Sequence, residues 1–355
     1  MHDDTFTISE DEVRGFCDDI YGQLGVSSEE INVLTECLLD ASLRGIDTHG
    51  ILLSHIYGQR IQSGQIIPGR HLELIRESPT TALGDAQQGI GQVVSREAMV
   101  LAIDKAKSQG MGAVTVFNAS HNGAISYYAM MASQQGLIGI VFGNSTPRVA
   151  PYGGREGLHG TNPVAYAVPS GDRHPIVLDF ATATSGAAIR QAVEDELPEI
   201  PEGLALDPDG NPTVDPRLAF DGWLLPKAGP IGYGLGLLAD VLIGGLAGAA
   251  CGKDVPPVHD VTSPYSCGAF MLALDPDVFI GREQFEERVR FLIESAASIA
   301  PMEGFDRVRL PGERGFEEKE KRRATGIPIA RRSWTQMLDG LLACGLDISL
   351  WNKNL

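Results

Sequence analysis

The sequence predicts an α/β protein in which helices cover a sheet. Short β-branched runs at 113–117 and 137–142 alternate with helical apolar spacing over 93–108 and 124–135, and glycine or small polar residues end nearly every run. With 355 residues, 43% of them hydrophobic and 21% charged, the chain is long enough to bury a substantial core as one large or two intimately linked domains.

Taken in order, Ser9 ahead of Glu10, Asp11 and Glu12 opens a capped helix. Ser27-Ser28-Glu29-Glu30 opens a second, running to about residue 43, with Glu30 at the capping-box position relative to Ser27. Residues 51–63 read as a third helix, Pro68-Gly69 as a break, and 72–75 and 80–84 as strands. Helix 93–108 leads to the strand at 113–117, helix 124–135 stops at Gly136, and strand 137–142 follows. Residues 194–216, rich in Pro, Asp and Gly, form a long ordered excursion with a tight turn at Asp207-Pro208-Asp209-Gly210. Gly-rich 231–250 reads as a buried helix packed through its glycines, because Asp240 mid-run argues against a membrane span. A strand over 268–276 and helices over 281–300 and 333–344 complete the chain, with no internal repeat.

Composition excludes several function classes. A net charge of −18 argues against nucleic acid, whose phosphates need clustered cations. The basic stretch at 319–323 is interleaved with Glu317, Glu318 and Glu320 and reads as a solvated helix face. Cys17, Cys37, Cys251, Cys267 and Cys344 are scattered without a Cys-x-x-Cys pair, so neither a zinc ribbon nor a disulfide framework is expected. His159, His259 and Asp260 lack ligand spacing, and no metal is expected. The acidic start Met1-His2-Asp3-Asp4 lacks the order of an export signal, making the cytoplasm the simplest compartment. Gly234-Leu235-Gly236-Leu237-Leu238-Ala239 formally satisfies Gly-x-Gly-x-x-Ala, but no strand leads into it and it is rejected as a dinucleotide fingerprint.

The candidate site is His121, in Ser120-His121-Asn122-Gly123 at the carboxyl end of a strand, where loops of open α/β sheets diverge over a ligand crevice. Gly123 permits close backbone approach, and Asn144, Ser145, Thr161 and Asn162 supply compact polar groups on the following loops.

Ser-His-x-Gly-Ala at 120–124, Gly-x-Ile-Gly-Ile at 136–140, Asn-Ser-x-Pro at 144–147, Pro-x-Gly-Gly at 151–154 and Gly-Thr-Asn-Pro at 160–163 together resemble the malate/L-lactate dehydrogenase family, which lacks a Rossmann domain. Thr48-His49-Gly50, Leu178-Asp179-Phe180-Ala181-Thr182, Gly232-Tyr233-Gly234-Leu235 and Leu310-Pro311-Gly312-Glu313 extend the resemblance over nearly the whole chain. Gly123 to Tyr127 looks closest to the ureidoglycolate dehydrogenase branch. The resemblance implies a mixed sheet flanked by helices, of the sulfolactate-dehydrogenase type, with the chain ends packed together in a homodimer. Residues 1–75 would form a helical part, 76–260 the cofactor and substrate core, and 261–355 a segment returning to the start.

The implied chemistry is hydride transfer between NADH or NADPH and a small 2-hydroxy acid, 2-oxo acid or cyclic imine. His121 matches the acid/base, a role suited to an imidazole that exchanges the hydroxyl proton. His49 and Asp179 match further catalytic positions. Thr48, Leu53, Tyr57, Asn144, Thr161 and Asn162 fall on the substrate side, and Ser145, Asp179, Phe180, Ala181, Ile231, Pro311 and Gly312 along the dinucleotide. Two positions depart from the family pattern. Leu53 stands where an arginine would grip a carboxylate, and Ile231 where a lysine would contact the cofactor. Arg60, Lys227 and Arg190 are candidates for a replacement charge. The two changes also motivate an alternative, a non-redox proton-transfer enzyme of the isomerase or lyase kind on the same scaffold. A catalytically silent binding protein is the third reading.

Overall fold

Two capping boxes start the first helices where the sequence places them. The computed structural model describes residues 4–257 and 266–352. β1 (Thr5–Ile8) leads into α1 (Glu10–Gln23), where the Ser9 hydroxyl accepts from the Glu12 amide and the Glu12 carboxylate accepts from the Ser9 amide. Ser27 and Glu30 repeat the arrangement at α2 (Ser28–Leu43), satisfying amides that a helix start leaves without partners. The helix expected over 51–63 is present as α3 (Ser54–Gln62), entered through a short 3₁₀ turn, Ile51–Leu53, that is broken from another at Asp47–His49. The break has a cause: the Ser42 hydroxyl takes the Ile51 amide at 3.0 Å, and Gly50 sits so close to Ser42 that a Cβ would lie 2.2 Å from its oxygen.

The middle of the chain builds the sheet from β2 (Glu73–Glu77), β3 (Thr81–Asp85), β4 (Met111–Ala119), β5 (Ile138–Gly143), β6 (Val164–Val168) and β7 (Ile176–Phe180), with α4 (Gly91–Gln109) and α5 (Ser126–Ser133) between them. Next come α6 (Gly186–Glu194), β8 (Ala205–Leu206), β9 (Pro212–Thr213), α7 (Pro216–Asp221), β10 (Trp223–Leu224) and α8 (Pro230–Asp240), which runs on as a π turn, Val241–Gly245. β11 (Cys267–Leu274), α9 (Arg282–Ala297), α10 (Glu313–Thr325), β12 (Ile327–Ala330) and α11 (Arg331–Ala343) follow. Among the described residues the main sheet has seven strands in the order β2-β3-β4-β11-β5-β6-β7. β3 and β4 run parallel and the other neighbours antiparallel, so the sheet is mixed and not of Rossmann type. β11, from late in the chain, inserts between β4 and β5 and aligns the two strand ends that carry His121 and Asn144.

One face of this sheet is covered by α4 and α5. Val114, Val116, Val141, Ala165 and Met271 are buried with Val94, Met99, Ala102, Tyr128 and Ala129 in one cluster. Gly112 brings β4 against α4, where a Cβ would lie 2.0 Å from the Ala102 carbonyl. The chain ends form a second core: β1 pairs with β12, and fully buried Trp334 of α11 meets Phe6 and Phe16 at ring distances of 5.6 and 5.3 Å.

Two expectations are corrected. The 231–250 segment is helical to Gly245 but not wholly buried, since Gly232, Gly236, Ala239 and Asp240 face inward while Ile231, Leu237, Leu238, Val241 and Leu246 are exposed. The 319–323 stretch is not simply a solvated face. Lys319 pairs with Asp40 at 2.6 Å, and Arg322 is buried between Asp47 and Glu318. All five cysteines are free, with Cys17, Cys37 and Cys267 buried. Among the described residues no helix is long and apolar enough to cross a membrane, and no three His, Cys, Asp or Glu side chains gather as metal ligands. His259 and Asp260 lie outside the described residues.

Candidate active site

His121 lies two residues beyond β4, on the loop that enters α5. This loop is fixed from several sides. Gly91, the first residue of α4, approaches so closely that a Cβ would lie 2.4 Å from the His121 carbonyl, and its amide donates to the Ser120 hydroxyl at 2.8 Å. The Tyr128 hydroxyl donates to the Asn122 carbonyl at 2.6 Å. The Asn122 side chain donates to the Ser95 hydroxyl at 3.1 Å.

The structure brings His49, Tyr57 and His121 together. The Tyr57 hydroxyl, buried on α3, lies 2.7 Å from His121 Nδ1, and the Gly123 amide donates to the same nitrogen at 3.3 Å. The His49 ring stacks on His121 with centroids 5.6 Å apart, and Thr48 Oγ1 lies 2.9 Å from His49 Nδ1. Burial, reinforced by His49 and by the positive charge of Arg60, pushes the His121 imidazole down to about 3. It is therefore neutral near pH 7. Burial also lowers His49, opposed by the nearby Asp179 carboxylate. Burial raises the Tyr57 phenol well above its ordinary value, so it is a hydroxyl and not a phenolate. Asp179, near the end of β7, accepts the Ser126 amide at 2.9 Å, which seats a carboxylate at the N-terminus of α5.

Several of the residues expected along a dinucleotide flank β7, Pro311 and Gly312 near its start and Phe180 and Ala181 at its end. The Val177 amide donates to the Pro311 carbonyl at 3.0 Å, and Gly312, at φ +92°, lies so close that a Cβ would be 2.9 Å from the Val177 carbonyl. Phe180 and Ala181 lead into Thr182, whose carbonyl accepts from the Lys227 amide at 2.9 Å and abuts Gly232 in the first turn of α8. Ile231 projects from that turn and is 65% exposed. Ser145 is half-buried against Gly160, with its amide on Asn162 Oδ1 at 3.1 Å.

Three residues expected to bind substrate are placed differently. Asn144 is buried, donating to Asp240 and the Ala250 carbonyl and accepting the Gly268 amide, so its amide ties β5, α8 and β11 together. Asn162 is fully buried and spans Ser145 and the Gly236 carbonyl. Leu53 packs on the core formed by the chain ends. The Thr161 carbonyl accepts from Thr182, and its side chain is half-buried. His159 is buried with Nδ1 on the Gly160 carbonyl at 2.7 Å and its ring stacked on Tyr233, against Gly236 of the rejected Gly-x-Gly-x-x-Ala run.

Sequence reasoning missed Gln92 and Arg322. Gln92 is a fully buried polar residue in the first turn of α4. The available signal was weak, a glutamine in the same first turns as Val93, Val94 and Ala98, which enter the core. Arg322 gave no such signal, because its partner Asp47 is 275 positions away.

Residues 8–338 match the malate/L-lactate dehydrogenase family. The chain is 37% identical over 332 residues to the L-sulfolactate dehydrogenase of Methanocaldococcus jannaschii, covering 93% of this chain and 95% of that protein. It is 38% identical over 333 residues to the malate dehydrogenase of Pyrococcus horikoshii, covering 92% of each. Identity to the Escherichia coli ureidoglycolate dehydrogenase (NAD(+)) is lower, 32% over 308 residues, with 86% of this chain and 88% of that protein covered. The local match at 123–127 thus does not extend to a closer overall likeness. The structure of the Methanocaldococcus jannaschii sulfolactate dehydrogenase superposes with a TM-score of 0.89 at 35% identity, covering 98% of this chain and all of that one, 100%. A mixed sheet with the same architecture, spaced motifs in the same order and identity along nearly the full length lead to one assignment: the chain belongs to the malate/L-lactate dehydrogenase family.

Proposed function

We propose that the protein is a nicotinamide-dependent oxidoreductase acting on a small 2-hydroxy acid or its 2-oxo counterpart, with His121 as acid/base. The observation that carries this reading is the 2.7 Å contact between Tyr57 and His121 beside the stacked His49 ring. A neutral imidazole whose Nδ1 carries the hydrogen toward the Tyr57 oxygen has Nε2 available to take a proton from a carbinol oxygen and return it in the reverse direction. A bound NAD or NADP supplies the chemistry of accepting or donating the hydride. Asp179, Phe180, Ala181, Ser145, Pro311 and Gly312 would hold it along β7, and His49, Thr48, Thr161 and Tyr57 would orient the substrate.

Arg60 is buried one turn beyond Tyr57, and its charge acts on His121. This supports Arg60 as the cation replacing the arginine missing at Leu53. A homodimer is part of the reading. It is supported by Phe279, Phe291, Leu292 and Phe305, large apolar side chains left exposed in the single chain.

The test is a panel of malate, sulfolactate and ureidoglycolate with NAD⁺ and NADP⁺, followed at the nicotinamide absorbance. Turnover lost in His121→Ala is the expected result. Turnover retained there, or no dinucleotide-dependent rise in thermal midpoint, would overturn the reading. The non-redox alternative is favoured by Leu53 packing into the core and by the exposed, uncharged Ile231. It requires His121-dependent turnover without any dinucleotide.

A further inference from the structure

We propose that Arg44 is a positioning residue for dinucleotide binding: through Ser126 it holds the Asp179 carboxylate so that one oxygen is occupied and the other stays open to a hydroxyl donor such as a ribose. The inference rests on the reading of Asp179 as a dinucleotide contact and adds to it a buried cation for which the proposed chemistry has no other use.

Arg44 closes α2 and is 7% exposed. Its Nη1 donates to the Ser126 hydroxyl at 3.1 Å. Ser126 is fully buried as the first residue of α5, five positions after His121, and its amide donates to Asp179 Oδ2 at 2.9 Å. Among the described residues this is the only hydrogen bond to the Asp179 carboxylate, and no cation lies within ion-pair distance of it. Oδ1 is thereby left for a donor from outside the chain. From the other side, the guanidinium carbon of Arg44 lies 5.5 Å from the centre of the Phe316 ring, and Gly315 is so close that a Cβ would be 3.4 Å from Nε. Arg44 thus touches the helix that follows His121 and the helix that follows Pro311 and Gly312, while its own segment runs on through Gly45 into the His49 turn. It reaches β7 through the Ser126 amide.

Neither packing nor charge balance explains a cation at this place. Asp40 lies 3.4 Å from Arg44 Nη1 but 2.6 Å from Lys319, which already neutralises it. Arg44 Nε is buried with no partner. A buried guanidinium with an unused donor is costly, and well-packed apolar residues in place of a buried ion pair commonly give equal or higher stability. What an apolar side chain cannot do is fix the Ser126 hydroxyl. Ile125 precedes α5 without a capping side chain, so a released Ser126 would let its amide turn away from Asp179. The carboxylate would then settle on other amides of the same helix start, and the open oxygen would move with it.

The experiment is calorimetric titration of NADH and NADPH into the unliganded protein, with a double-mutant cycle of Arg44→Met, Ser126→Ala and the double variant, beside Asp179→Ala and the thermal midpoint of each unliganded variant. Arg44→Met and Ser126→Ala should each raise Kd about tenfold, the effect of one buried hydrogen bond to a charged group. The double variant should bind no worse than the poorer single one, because both changes cut the same chain. Arg44→Lys, which keeps a charged donor, should recover part of the lost affinity. Losses that multiply to about a hundredfold, or wild-type affinity in Arg44→Met with only a lower thermal midpoint, would overturn the proposal. If Arg44→Met fails to fold, Ser126→Ala decides, since it removes the hydroxyl and keeps the amide; unchanged affinity there would overturn the proposal. Asp179→Ala separates the two levels of the inference. Wild-type affinity in Asp179→Ala would fault the placing of a dinucleotide at Asp179 and this inference with it. Weaker binding in Asp179→Ala with wild-type affinity in Arg44→Met and Ser126→Ala would fault the role of Arg44 alone.

Discussion

Arg322 of α10 grips the carboxylate of Asp47 with two guanidinium nitrogens, at 2.5 and 3.1 Å, and the same side chain donates to the Ser42 carbonyl. Asp47 is two residues before His49, so a helix late in the chain holds the turn that carries the His49 ring. Glu318 supports the guanidinium at Nε, 2.8 Å away.

Replacing Arg322 with alanine should therefore cost about 2 kcal/mol, the value of charge-assisted hydrogen bonds made by a largely buried group. Arg322→Lys should recover only part of this, because an ammonium cannot make the two-pronged contact. Chemical denaturation of both variants checks the order. Equal stability for the two, or no loss for either, would contradict it.

Stability should fall on acidification partly because of His121. The ring titrates at about 3 in the fold because of burial, against about 6.5 when unfolded. The unfolded chain thus binds a proton that the native chain refuses. The contribution is complete above about pH 6.5 and declines as pH drops toward 3, by at most about 1.4 kcal/mol per pH unit. Denaturation midpoints of wild type and His121→Gln between pH 7 and 5 should converge as pH falls. Parallel curves would show that the ring does not titrate this way.

Ile231 is exposed on the first turn of α8, so Ile231→Lys should fold with stability within about 0.5 kcal/mol of wild type. If a dinucleotide lies along that turn, the added cation should tighten its binding about tenfold, as one charge-assisted contact would. Calorimetry with NADH and NADPH measures this. Weaker binding would mean that the cofactor runs elsewhere.

Trp334 is wholly buried between Phe6 and Phe16 in the core that joins the chain ends. Trp334→Ala should remove about 3–5 kcal/mol. The His49 turn depends on the same layer, so dinucleotide-dependent turnover should be lost at a lower temperature than in wild type.

Much of this was legible in the chain. Ser9 and Ser27 announced their helices because a capping box is local. His121 could be placed at a strand end because β-branched 113–117 is followed at once by polar residues and glycine. What stayed hidden depends on distant partners. β6 gave no alternating signal of its own, being flanked by other strands, and the polar loop residues Asn144 and Asn162 read as ligand groups until Asp240, Gly268 and Gly236 were found to occupy their amides. Gln92 gave only a weak hint, and its full burial depends on what packs over the start of α4.

The pairing of β1 with β12 carries a consequence for synthesis. Residues 5–8 leave the ribosome early and have no strand partner until 327–330 follow. The turn that carries His49 can be clamped only once α10 is made, so a chain truncated before residue 313 should contain the imidazoles and yet leave that turn unclamped.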